Sequence, residues 1–137
     1  MWILRGSRGC PLAGNLAAMR RAKDSVGAYG ERVAVEYLIQ QGMQLLDRNW
    51  RCPAGEIDAI LREGEVLVIA EVKTRRSAAY GAPAEALVPA KVARLRRLAA
   101  LWLAHTRVRP REVRFDVVSV LPQPRGRAQV EHVRGAF

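Results

Sequence analysis

The sequence predicts a single α/β domain, a mixed β-sheet core flanked by helices, and three observations lead there. The chain has 137 residues, 50% of them hydrophobic, which suffices for one proper core and makes a second domain an unneeded assumption. Two segments carry apolar residues at helical spacing, one from Ser25 and one from Pro89. Between and after them lie short apolar or alternating runs that read as strands, so the order is helix, strands, helix, strands.

Each element has its own signal. Residues 1–24 contain Gly6, Gly9, Pro11 and Gly14 without a sustained period, which predicts a disordered basic arm ahead of a single domain at 25–137. Tyr29, Val33, Ala34, Tyr37 and Leu38 then form a helical stripe, with Gly42 where a C-terminal cap belongs. Met43 to Trp50 reads as a short strand or extended segment. Glu56 to Leu61 alternates, with Ile57, Ala59 and Leu61 on one face; Glu63 and Gly64 supply a turn, and Val66 to Lys73 returns almost wholly apolar. This pair is a predicted β-hairpin. A loop of small residues, Ser77 to Pro83, leads to a second helix from about Pro89 to His105, whose stripe is Val92, Leu95, Ala99, Trp102 and Leu103. Val113 to Leu121 is a strong strand, and Gln129 to Val133 a weaker one after the turn-rich Pro122 to Arg127.

The charge narrows the function classes. A formal net charge of +10, from 23 basic and 13 acidic side chains, favours a polyanionic partner, nucleic acid first. The excess is concentrated in residues 1–24, on the second helix and in the C-terminal third, whereas residues 25–90 hold more acids than bases. A DNA-binding surface needs the first property, and a divalent-metal site within that surface needs the second. Cys10 and Cys52 lie far apart, as do His105 and His132, so neither a zinc site nor a disulfide framework is suggested. No window approaches the roughly 18 continuous apolar residues of a membrane span. Arg5 and Arg8 break the apolar start before a signal peptide can develop, and the expected location is cytoplasmic.

The hairpin gives the acids a common direction. With Glu63 and Gly64 as the loop, Arg62 pairs with Glu65 and Asp58 with Ile69, which places Glu56, Asp58 and Ile60 on the face of Leu67, Ile69, Glu71 and Lys73. Asp58 and Glu71 are then diagonal neighbours, roughly 7 to 8 Å apart at the backbone, and their carboxylates can converge on one Mg²⁺ or Mn²⁺ ion. Lys73 projects from the same side. A metal so held would polarise a phosphodiester, and the lysine would orient the attacking water or stabilise developing negative charge. The bland alternative for Glu71 and Lys73 taken alone is a solvated surface pair.

Asp58, Glu71 and Lys73 resemble the motif of the PD-(D/E)xK nucleases, with Ile57 in place of the proline. The surrounding text is more specific: Gly30-Glu31, Asn49-Trp50-Arg51, Gly55-Glu56-Ile57-Asp58, Glu71-Val72-Lys73-Thr74-Arg75, Tyr80-Gly81-Ala82-Pro83, Pro89-Ala90-Lys91 and Arg114-Phe115-Asp116-Val117-Val118. Over residues 25–137 the chain resembles the YraN family of small bacterial proteins. That resemblance implies a restriction-endonuclease-like core and a relationship to Holliday-junction resolvases, which act as dimers on branched DNA. It implies Asp58 and Glu71 as metal ligands, Lys73 as the catalytic lysine and Glu31 as a helix-borne acid joining the site.

Two function classes follow: a Mg²⁺- or Mn²⁺-dependent DNA endonuclease, or a nucleic-acid-binding module that keeps the scaffold without cleaving. Arg75, Arg76, Lys91, Arg94 and Arg97 are the candidate phosphate contacts in either case. Lys91, at the start of the second helix, faces either the site or solvent, and Arg75 and Arg76 are equally explained as a charged strand end. Trp50 and Trp102 read as core, and Asp116 as a structural hydrogen-bonding group. Residues 1–24 lie outside the resemblance, so the natural start is expected at Met19, against the rival of a DNA-contacting arm.

Overall fold

The computed structural model describes residues 25–75 and 88–137. It contains helix α1 (Ser25–Gln40), strands β1 (Gln44–Cys52), β2 (Gly55–Glu63) and β3 (Val66–Thr74), helix α2 (Pro89–Ala104), and strands β4 (Glu112–Leu121) and β5 (Gln129–Val133). The five strands form one sheet in the order β1-β2-β3-β4-β5. Every neighbouring pair is antiparallel except β3 with β4, which is parallel and therefore needs the crossover that carries α2. This is the mixed α/β architecture expected of a restriction-endonuclease-like core.

The two helices cover opposite faces of the sheet, which explains why the central strand β3 is almost continuously apolar. On one face Ala34, Val35 and Leu38 of α1 pack against Ala59, Leu61, Val68, Ala70, Val118 and Val120. On the other, Leu95, Leu98, Ala99 and Trp102 of α2 pack against Trp50, Ile60, Leu67, Ile69 and Phe115. Alternate residues of one strand thus belong to two cores.

The end of α1 is fixed by a Schellman-type cap. The Gly42 amide donates to Ile39 O at 3.0 Å and the Met43 amide to Leu38 O at 3.1 Å, with Gly42 at φ 100°. Leu38 and Met43 complete the motif by packing together in the core. At the start of α2, Pro89 occupies the first turn, where its missing amide proton costs nothing.

The hairpin register differs from the sequence reading. The turn residues are Gly64 and Glu65, and the pairs run from Glu63↔Val66 to Ala59↔Ala70. Gly64 has φ 61°, the positive value that the first central position of a two-residue hairpin turn favours. Moving the turn by one residue shifts each partner by two, so side chains keep their faces and only their opposite numbers change. A second difference is that Ile57 does not share a core with Ala59 and Leu61. It packs with Trp50 and α2, because the alternation breaks where β2 leaves β3.

Candidate active site at a fork in the sheet

The break in pairing between β2 and β3 creates the site. Beyond Ala59↔Ala70 the two strands separate: β2 continues along β1 through Ile57↔Trp50 and Glu56↔Arg51, and β3 continues along β4 from Glu71↔Val117 to Thr74↔Val120. Asp58 stands at the mouth of this fork. Its Oδ2 accepts a hydrogen bond from the Val72 amide at 2.9 Å, so a side chain bridges the strands where the ladder stops.

Helix α1 brings a second acid to the fork. Gly30 lies against Thr74 so closely that a Cβ there would overlap the threonine hydroxyl, so only glycine lets the helix come this near to β3. The next residue, Glu31, is only 6% exposed. One carboxylate oxygen from each of Glu31, Glu56 and Asp58 lies within 4.8 Å of the others. Three hard oxygen donors at this spacing suit the donor set of Mg²⁺ or Mn²⁺. Glu56 is also 3.2 Å from the buried guanidinium of Arg51.

Glu71 sits in a cationic setting instead. Its Oε1 is 2.6 Å from Lys91 Nζ and 3.4 Å from Lys73 Nζ, so one carboxylate oxygen is shared by two ammonium groups. The lysines diverge in consequence. Burial pushes Lys73 below the ordinary lysine value, and the neighbouring Lys91 adds to that effect against the attraction of Glu71. Burial acts on Lys91 in the same sense, but its hydrogen bond to Glu71 and the nearby acids outweigh it, and Lys91 is raised. A lysine shifted downward is closer to the range in which it can exchange a proton at neutral pH.

Glu31, Asp58, Glu71 and Lys73 are thus drawn from α1, β2 and β3 toward one end of the sheet, where Lys91 joins them from α2. The cluster of three acids contains Glu31 and Asp58, with Glu56 in the place that the sequence reading gave to Glu71. The signal for Glu56 was present, since it lies two residues from Asp58 in the same strand. Arg94 and Arg97 are exposed on α2, and the stem of Arg94 runs alongside Gly55. Arg75 extends β3, its amide donating to Val120 O at 2.8 Å. Arg76, the Ser77 to Pro83 loop and the N-terminal arm lie outside the described residues.

Asp116 belongs to a separate network. Fully buried, it accepts two bonds from the Arg114 guanidinium at 2.8 and 3.0 Å, one from the Gly135 amide at 3.0 Å, and faces His132 Nε2 at 2.7 Å. Burial would raise its carboxyl, but these partners together hold it below the usual range. Trp50 and Trp102 are buried in the α2-side core, where the Trp102 indole donates to Asp47 at 3.1 Å.

The profile of "Uncharacterised protein family UPF0102" matches residues 30–120, a span that includes every acid and lysine of the fork. The chain belongs to family UPF0102. This is the YraN family that the motifs resemble. A UPF0102 protein of Beutenbergia cavernae is 58% identical over 115 residues, covering 84% of this chain and 98% of that protein. One from Kineococcus radiotolerans is 59% identical over 116 residues, covering 84% and 95%. A third, from Acidothermus cellulolyticus, is 45% identical over 132 residues and covered along 100% of its length. Among the described residues no helix is long and apolar enough to cross a membrane.

Proposed function

We propose that this UPF0102 protein is a divalent-metal-dependent DNA endonuclease whose site is the fork between β2 and β3. The observation that carries the reading is the convergence of Glu31, Glu56 and Asp58 within 4.8 Å, beside a half-buried acid and lysine pair on the next strand. Glu31, Glu56 and Asp58 would hold Mg²⁺ or Mn²⁺, with Glu71 completing the acidic wall. When bound, such an ion supplies charge to a scissile phosphate and to water in its coordination shell.

The chain's own residues have distinct tasks. Lys73, on the strand beside the acids, orients the attacking water and stabilises the charge that develops on the phosphate; the water oxygen adds to phosphorus as the P–O bond to the leaving oxygen breaks, the water giving up its proton to solvent and the leaving oxygen taking one from it. Val72 fixes Asp58 through its amide, so the carboxylate is oriented before substrate arrives. Arg94 and Arg97 on α2, with Arg75 at the strand end, contribute charge for the phosphate backbone. The basic excess of the chain supports DNA as the partner, and the resolvase resemblance supports branched DNA and a dimer.

The test is cleavage of labelled linear, single-stranded, flapped and four-way-junction DNA in Mg²⁺, Mn²⁺ or EDTA, beside Glu71→Ala. Metal-dependent cutting lost in the variant is the expected result. Binding without cutting, equal in EDTA and Mg²⁺ and in both proteins, would replace the enzyme with a binding module.

A further inference from the structure

Lys91 occupies a position that helix stability does not explain. It stands in the first turn of α2, where the helix dipole disfavours a cation, and that turn carries no acid to offset it. Its stem is nonetheless held inward, with the side chain 20% exposed and Nζ 2.6 Å from Glu71 Oε1. Lys73, two residues from Glu71 in the same strand, is farther from that oxygen at 3.4 Å. The principal partner of Glu71 is therefore a lysine from another element.

We propose that Lys91 is the resident counter-ion of the acidic fork, a positioning residue that holds Glu71 and competes with a divalent cation for its carboxylate. The inference rests on the metal-site reading above. An ion held by Glu31, Glu56 and Asp58 would draw on Glu71 as a fourth carboxylate, in competition with the short bond that its Oε1 accepts from Lys91. The displaced ammonium, still tethered by its long stem, is left beside the site as an added positive charge for a DNA phosphate. Metal and DNA binding are thereby coupled through one side chain. Without Lys91, the acids of Glu31, Glu56, Asp58 and Glu71 would face one another with less neutralisation and take up a divalent cation more tightly.

The experiment measures Mn²⁺ affinity by electron paramagnetic resonance of free Mn²⁺ on the full chain without DNA, for wild type, Lys91→Met, Lys91→Gln, Lys91→Arg and Arg107→Met. The two neutral variants at Lys91 guard against one of them failing to fold. Removing a charge this close should tighten binding about tenfold or more, comparable to the effect of a neighbouring charge on a protonation equilibrium. Lys91→Arg keeps the charge, and Arg107→Met removes a charge at an exposed position elsewhere; both should stay close to wild type. Mn²⁺ binding that the neutral Lys91 variants leave unchanged or weaken overturns this inference alone. Equal tightening in Arg107→Met also overturns it, by showing a general charge effect. A wild type and neutral variants that all fail to bind Mn²⁺ overturn the metal-site reading and the counter-ion with it.

Discussion

Asp116 and Glu63 show how single residues tie β2, β4 and the chain after β5 together. Arg114 reaches both, at 2.8 Å to Asp116 and 2.9 Å to Glu63, while Arg134 adds a bond to Glu63 at 2.7 Å. Asp116→Ala leaves Arg114 without its buried partner and should cost about 3–5 kcal/mol, read from denaturant unfolding. The Arg134 bond above all, and Arg114 with it, hold Glu63 below its ordinary range, and Asp116 is lowered as well. Lowered carboxyls stabilise the fold above the unfolded carboxylate range, near pH 4, and lose that contribution as pH falls through their folded values. The melting temperature should therefore drop below about pH 4, and Arg114→Met should start lower at neutral pH but lose less on acidification. At this scale Glu71 and Lys73 were legible as neighbours on one face of one strand, and Asp58 as the acid across the hairpin from them, although the alternation of β2 breaks beside it. Lys91 was left open between the site and solvent, since its contact with Glu71 joins a strand to a helix whose approach no local pattern encodes.

The elements carry a different kind of information. The Schellman cap of α1 and the proline start of α2 were written in local residue choice, and both helices fall close to their expected bounds. The hairpin turn was placed one residue early, because Glu63-Gly64 and Gly64-Glu65 satisfy the same alternation and only the backbone conformation of Gly64 separates them. The fork itself was invisible: composition does not say where a strand abandons its neighbour. Gly30 is the element-scale test. Gly30→Val forces α1 away from Thr74, so it should destabilise the fold by about 1–3 kcal/mol as an overpacked contact does. It should also reduce cleavage beyond what stability explains, because Glu31 moves with the helix; calorimetry and cleavage rates on the same preparation separate the two.

For the whole molecule, the sequence held the α/β class and the charge but not the sheet order. Parallel pairing of β3 with β4 joins segments separated by all of α2, and periodicity is silent about such long-range partners. The charge makes its own prediction. If Arg94 and Arg97 bind phosphates, replacing both with alanine should weaken DNA of every sequence alike and reduce the slope of log K against log salt by about 2, measured by fluorescence anisotropy. Most of the affinity then resides in the arginines of α2 and its flanks and the chemistry in the fork, with Lys91 as the link between them, and that division is the central claim. Its most direct measurement is Asp58→Ala assayed for both properties on one labelled DNA. The account predicts Mn²⁺-dependent cleavage reduced to background, with DNA affinity within about threefold of wild type because phosphate contacts dominate it. Cleavage by Asp58→Ala at the wild-type rate would contradict the assignment of the fork as the active site.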